Sequence, residues 1–397
     1  MTVSELRIGV IGVGGRGELA GHAHQPEQGS RIVAGADVSP KALADFQQRY
    51  GAQAFATADY RELLARSDVD AVFVTSPDFC HEEHALAALN AGKHVYLEKP
   101  MAITIDGCDR LLRAARERGV KLYLGHNMRH MAVVRKMKQL IDAGAIGNVK
   151  AAWCRHFVSY GGDAYYKDWH AERAKSTGLL LQKGAHDIDV LHWLCRGYSR
   201  TVTAFGTLAV YGGVADRDAS RRTGTVSWQP TEIWPPRAQK GLNPAADVED
   251  LSMVLMQLDS GVLASYQQCH FAPDAWRNYT FIGDEGRLEN FGDDPGHCVI
   301  RVWNRREDRY NPYGAEQHYI PREGGTHGGA DPKIVAEFVR YVRQGGTIAT
   351  SAVAGRYAVA AGCCATESLR NNGKPCDVPP LPNDLAKYFQ ADVADTV

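Results

Sequence analysis

Three groups of residues in this 397-residue sequence have types and spacings that can do chemistry. The first is Gly12-Val13-Gly14-Gly15-Arg16-Gly17, a Gly-x-Gly-x-x-Gly run. In such a run the first glycine makes a tight turn, the second lets the backbone approach a pyrophosphate, and the third lets helix and strand pack closely. A helix opening at that point adds free N–H groups and a partial positive charge for phosphates. Asp37 follows about 20 residues after Gly17, where a carboxylate accepts hydrogen bonds from a ribose and repels a 2′-phosphate. The cofactor expected is therefore NAD rather than NADP. The plainer alternative for Asp37 is a surface acid capping the next helix. Arg16 has two places open to it, over the phosphates or facing solvent.

The second group comprises Thr75-Ser76-Pro77-Asp78 and Glu98-Lys99-Pro100, each following a short apolar run. In an open α/β sheet, ligands bind beyond the carboxyl ends of the strands. Ser76, Pro77, Glu98 and Lys99 are thus expected around the cofactor, with Lys99 toward its nicotinamide end. An ordinary surface lysine is the alternative. Oxidising an alcohol needs the carbon held against the nicotinamide, a base for the hydroxyl proton, and a polar group for the developing charge.

The third group gathers Arg155, Lys167, Trp169, His170 and Arg173 in one stretch, with Asp163, Asp168 and Glu172 interleaved. It reads either as a solvated loop or as a pocket in which a Trp or Tyr stacks on a sugar face and cations hold a carboxylate or sulfonate. His81-Glu82-Glu83-His84 has its histidines three apart, not the four that a zinc-protease helix requires. No metal is expected. His327 and Asp331 either return to the cleft from a second domain or belong to a loop entering a helix capped near Asp331.

These residues need elements to hold them. Apolar, β-branched strands are expected at 7–13, 31–37, 70–75, 94–97 and 121–124. They alternate with helices at 16–25, 40–50, 81–92 and 105–119, the pattern of a Rossmann-type doubly wound parallel sheet. This gives a dinucleotide-binding domain over 1–126. From there to 397 the pattern changes to strands at 149–159, 201–210, 250–258, 261–269 and 277–290, with helices at 184–195, 331–343 and 351–370. That implies an α+β domain with a mainly antiparallel sheet. The Gly-, Pro-, Arg- and Ser-rich stretch 211–247, with Trp228 and Trp234, reads as a long surface excursion, a lid or an oligomer contact.

Composition excludes several classes. Lys and Arg number 45 against 46 Asp and Glu, so nothing draws the chain electrostatically to nucleic acid or an anionic membrane. No apolar run suits a bilayer, and the N-terminus lacks the pattern of a secretory signal. Nine cysteines without a Cys-x-x-Cys indicate reduced thiols and a cytoplasmic protein.

The glycine run, Thr75-Ser76-Pro77 with His81, and Glu98-Lys99-Pro100 together resemble the Gfo/Idh/MocA oxidoreductases, relatives of glucose–fructose oxidoreductase and inositol dehydrogenase. Gly144-Ala145-Ile146-Gly147, Gly184-Ala185-His186-Asp187-Ile188-Asp189 and Phe281-Ile282-Gly283-Asp284-Glu285-Gly286 are similar to later segments of that family. The resemblance covers nearly the whole chain outside 211–247. It implies that Lys99 and His186 face a reacting hydroxyl, with His186 as general base and Lys99 steadying the alkoxide. It also implies that His81 lies near the nicotinamide. Asp189 shares a helix face with His186 and either orients it or serves packing. Where the family often has Asp, this chain has Gln182, which can still hydrogen-bond a substrate hydroxyl. Lys183 is either structural or a substrate contact.

Two activities follow from the resemblance. One is an NAD-dependent oxidation of a secondary hydroxyl on a sugar, glycoside or polyol. The other is a redox-neutral NAD-dependent glycoside hydrolase, working by oxidation, elimination, hydration and reduction, on a sulfonated or uronate glycoside if the cation cluster binds substrate. Tyr160, Tyr165 and Tyr166 are then candidate acids or bases. A catalytically idle regulator is a third reading, against which the intact Lys99 and His186 argue. A carbohydrate is the expected ligand, and a homodimer or homotetramer the expected assembly.

Overall fold

Short runs of Val, Ile and Ala without polar alternation build a sheet that is covered on both faces. In the computed structural model, which describes residues 5–222 and 231–390, these runs are β1 (Leu6–Ile11), β2 (Ser30–Ala36), β3 (Phe55–Thr57), β4 (Ala71–Val74), β5 (His94–Leu97) and β6 (Leu122–Leu124). They pair in parallel in the order β3-β2-β1-β4-β5-β6. The order reverses beside β1, so the loops after β1 and β4 open at the switch point where ligands bind in such sheets. The helix expected after the glycine run is a 3-10 helix, Gly15–Ala23. The helices Pro40–Tyr50 and Ile105–Arg118 start where Ser39 and Thr104 accept from the backbone N–H groups of Ala42 and Gly107.

The chain divides into two compact units. The first runs to His130, four residues past the boundary at 126 read from the sequence, and it also takes Gly325–Val359 and the segment from Leu381. Assigning the whole of 127–397 to the second domain is therefore corrected. The reason lies in the helix Thr326–Gln344, whose Ile334, Val335, Phe338 and Tyr341 are buried in one core with Ile8, Val10, Phe73, Tyr96 and Tyr123. Phe338 meets Phe73 edge to face at 5.2 Å. Asp331 thus belongs to the nucleotide unit itself.

The second unit holds Met131–Gly324 and Ala360–Pro380. Its nine strands are β7 (Val149–Phe157), β8 (Ser199–Thr207), β9 (Leu251–Leu258), β10 (Leu263–Cys269), β11 (Trp276–Gly283), β12 (Arg287–Phe291), β13 (Cys298–Trp303), β14 (Glu316–Ile320) and β15 (Cys376–Asp377). Their order is β14-β13-β12-β11-β7-β10-β9-β8-β15. All neighbours are antiparallel except β7 and β10. Burial alternates along β7 and β9, the mark of a sheet with one packed face. The helix Gly184–Cys195, buried at every residue, lies against β7 and β10 on that face.

The surface excursion expected over 211–247 is corrected at both ends. Tyr211, Val214 and Leu242 are buried in a cluster with Tyr165, Tyr166, Leu179 and Val248. Asp250 fixes the entry by accepting from the backbone N–H groups of Ala209, Val210 and Tyr211 at 2.6–2.8 Å. Trp234 is exposed. Trp228 lies outside the described residues.

Candidate active site

In the first unit the glycine loop is shaped by what its residues lack. Gly12 has φ +86°, and a Cβ there would lie 2.8 Å from the Ser76 nitrogen. A Cβ on Gly17 would lie 2.1 Å from the Gly12 carbonyl oxygen. Any side chain at either place would push the loop away from β4, so the close approach depends on glycine. Gly15 has open space around it, leaving a cradle of backbone that suits a pyrophosphate. Asp37 Oδ2 accepts from Gly14 N at 3.2 Å, and its Oδ1 accepts from Ser39 N at 2.9 Å. One carboxylate thus both steadies the next helix start and borders the glycine loop. Gly12, Gly14, Gly15, Gly17 and Asp37 are the residues that would hold NAD.

Arg16 takes neither place that the sequence left open. Its Nε donates to Glu98 Oε1 at 2.7 Å, and its two terminal nitrogens donate to Asp331 at 2.8 and 3.0 Å. Burial alone would lower the guanidinium pKa, but Glu98 and Asp331 raise it. Burial works against ionisation of Asp331; His327 and Arg16 overcome it and hold that carboxyl far below the usual range. Asn127 and His327 also reach Asp331, at 2.9 and 2.8 Å. Glu98 Oε2 accepts from the Lys99 backbone N–H at 2.9 Å. The side chains of Arg16 and Glu98 therefore form a strut from the glycine loop to the Lys99 loop.

His81 is buried, and its ring nitrogens lie 2.7 and 2.8 Å from the carbonyl oxygens of Pro100 and Ser76. His84 meets Ser76 Oγ at 2.9 Å. These contacts tie the loop after β4 to the loop after β5. Among the described residues no cluster of three or more His, Cys, Asp or Glu could hold a metal.

In the second unit, Gln182, Lys183 and His186 lie within about one turn at the start of the helix Gly184–Cys195. His186 is 8% exposed and Gln182 is 6% exposed, so both sit at the edge of the core. The next residue, Asp187, anchors the helix to the sheet. It takes Arg277 Nε at 2.9 Å and His156 Nδ1 at 3.3 Å, and it accepts from the Tyr279 hydroxyl. Burial alone would raise its pKa, yet Arg277 and His156 hold it well below the carboxylate range. Burial, with Arg277, pushes His156 down to about 4.

Reading the sequence did not single out Asp187, Arg277 or Tyr279, nor the anchoring part of His156. The available signal was a histidine at an inward position of β7, between apolar inward neighbours. Asp189 is also buried.

The cation stretch is not brought together as one set. Arg155 lies on the other face of the sheet, where it donates to Asn278 and pairs with Glu289 at 3.6 Å. Lys167 pairs with Asp163 at 2.8 Å and Arg173 with Glu249 at 2.8 Å. His170 meets Asp168 at 2.6 Å and stacks on Trp169 with ring centroids 3.7 Å apart. Lys183 stands apart from these, its Nζ 5.6 Å from the Tyr165 ring centroid. Burial, then Arg277, lowers its pKa.

A glycine cradle with an acid at its mouth, at the switch point of a parallel sheet, is the arrangement of a dinucleotide-binding unit. Residues 6–126 match the profile described as oxidoreductase family, NAD-binding Rossmann fold, and residues 134–289 match the GFO/IDH/MocA C-terminal domain. The chain belongs to the GFO/IDH/MocA oxidoreductase family, and its cofactor is NAD.

Among curated proteins it is 32% identical to 1-carboxy-3-chloro-3,4-dihydroxycyclohexa-1,5-diene dehydrogenase of Comamonas testosteroni, over 55% of this chain and 52% of that one. It is 36% identical to inositol 2-dehydrogenase of Burkholderia multivorans, over 48% of this chain and 54% of that one. The chain thus spans about half the length of these relatives. Among solved structures, levoglucosan dehydrogenase in complex with NADH and L-sorbose superposes with a TM-score of 0.76 at 22% identity, covering 95% of this chain and 100% of that one. Apo scyllo-inositol dehydrogenase from Lactobacillus casei gives 0.69 at 22% identity, covering 95% and 99%. These two likenesses are of fold.

Proposed function

We propose that the chain is an NAD-dependent dehydrogenase acting on a secondary hydroxyl of a sugar or polyol. The observation that carries this reading is the glycine cradle bordered by Asp37, in a chain of this family that keeps both Lys99 and His186. When bound, NAD supplies the hydride acceptor.

The chain's own residues do the rest. Lys99 donates a hydrogen bond to the substrate oxygen and steadies the alkoxide character that grows there. His186 takes the hydroxyl proton on its imidazole nitrogen. Gln182 cannot accept that proton, so its part is a hydrogen bond to a neighbouring hydroxyl. The Asp187 anchor keeps the helix of His186 from rotating. The inositol 2-dehydrogenase among the curated relatives supports a polyhydroxylated substrate.

The test is a panel of free sugars, inositols and aryl glycosides with the purified protein and NAD, following NADH absorbance and aglycone release together. NADH formed in step with a ketone supports the dehydrogenase. Aglycone release without net NADH replaces it by the redox-neutral hydrolysis. In Lys99→Met and His186→Asn, turnover should fall by at least about 100-fold while NAD binding stays. Full activity in either variant removes that residue from the mechanism.

A further inference from the structure

The four cations gathered in one stretch of the sequence, and Lys183 beside them among the candidate substrate contacts, differ in what they touch. Arg155, Lys167, His170 and Arg173 each have an acidic neighbour within ion-pair distance: Glu289, Asp163, Asp168 and Glu249. The fifth, Lys183, has none among the described residues. The acids that act on it are committed elsewhere, since Arg277 takes Asp187 at 2.9 Å and Asp293 at 3.6 Å. What Lys183 does have is aromatic surface. Tyr165 lies under its ammonium, and around Tyr165 stand Tyr160, His170 and His270 at centroid distances of 6.5, 5.5 and 5.3 Å.

A partly buried ammonium loses hydration, and an aromatic face restores only part of it. The groups that act on Lys183 are Tyr160, Asp187, Asp293 and Arg277, and it in turn acts on His156 and His270. Their balance, burial first, sets its pKa below that of a free lysine. A ligand that brings a negative charge would satisfy this cation. It would do so within one helical turn of His186, beside rings able to cover the apolar face of a sugar.

We propose that Lys183 and the Tyr160–Tyr165 rings form a subsite for an anionic substituent, so that the preferred substrate is an acidic sugar, one carrying a carboxylate. This rests on the dehydrogenase reading and narrows its substrate class.

The experiment compares glucuronate and galacturonate with glucose and galactose, using the full chain with NAD, for the wild type, Lys183→Met and Lys183→Arg. The wild type should favour the uronates in kcat/KM. Lys183→Met should collapse the uronate-to-neutral ratio by about 10- to 150-fold, the range for a hydrogen bond to a charged group. Lys183→Arg should keep part of that ratio. Calorimetry of uronate binding to the NAD-loaded protein gives a readout free of turnover. Because an anion favours the charged lysine, binding should take up protons on the alkaline side in the wild type, and not in Lys183→Met. A wild type that prefers neutral sugars, or a ratio unchanged in Lys183→Met, overturns the subsite. If no sugar is oxidised but uronates bind with Lys183-dependent proton uptake, the subsite stands and the dehydrogenase reading falls. Absence of both uronate turnover and uronate binding overturns the subsite.

Discussion

At the scale of single residues, the cofactor site turns on small differences. Gly17 has no room for even one more carbon, because the atom in the way is the Gly12 backbone carbonyl and not a side chain that can swing aside. Gly17→Ala should therefore weaken NAD binding by at least about 10-fold, since the loop must move away from the pyrophosphate position. A fluorescence titration with NADH checks this, and unchanged affinity would show that the loop relaxes freely. Asp37→Ala removes the acceptor near the glycine loop and the negative charge that disfavours a 2′-phosphate. NAD affinity should drop by about 10- to 150-fold, and the preference over NADP should narrow. Circular dichroism is needed beside it, because Asp37 also accepts from Ser39 N.

The tight glycine loop and an acid beside it were legible in the sequence, because a phosphate cradle requires glycine at fixed offsets and an acid is expected about 20 residues on. Asp187 was not legible. Its importance comes from Arg277 and Tyr279, about ninety residues away along the chain, which only the folded sheet brings to it.

At the scale of elements, most helices and strands were legible because their periodicities are clean. The run His94–Leu97 and the helix Gly184–Cys195 form over the expected residues. The return of the helix Thr326–Gln344 to the nucleotide unit was not, since an amphipathic helix does not state which core its apolar face will join. The consequence is the strut Asp331–Arg16–Glu98, which ties that helix to the glycine loop and the Lys99 loop.

Removing the shared cation in Arg16→Met leaves two buried carboxylates without it. The variant should lose about 3–5 kcal/mol at neutral pH. The sign of the pH dependence follows from Asp331, whose pKa is depressed in the folded state. Its stabilisation is present above the unfolded value of about 3.9 and is lost as pH falls toward the folded one. The gap between wild type and variant in urea denaturation should therefore be full at neutral pH and shrink below about pH 4. A gap independent of pH would mean that Arg16 acts through packing alone.

At the scale of the whole molecule, the open face of the second unit's sheet carries four exposed large apolar side chains on β8, β9 and β10. Phe205, Met253, Leu255 and Leu263 are 65, 53, 62 and 60% exposed. The strand register pairs Phe205 with Met253 and sets Leu263 diagonal to Leu255, all on the face opposite the one that holds the Gly184–Cys195 helix. Patches of this kind on a protein surface mark contact sites, and the homo-oligomer expected from the sequence would put a second copy of the chain there. No helix among the described residues is long and apolar enough to cross a membrane, so the patch is not part of a membrane-spanning helix. A lasting dimer buries roughly 1,200–2,000 Å², and a sheet face three strands wide can supply its apolar centre.

The wild type should therefore sediment as a dimer or tetramer at micromolar concentration. Leu255→Glu, which sets a charge in the middle of the patch, should shift it to a monomer. NAD affinity should survive, because Leu255 lies in the other unit from the glycine loop. A monomeric wild type would remove the sheet face from any part in assembly. An oligomer unaffected by Leu255→Glu would place the interface on another surface.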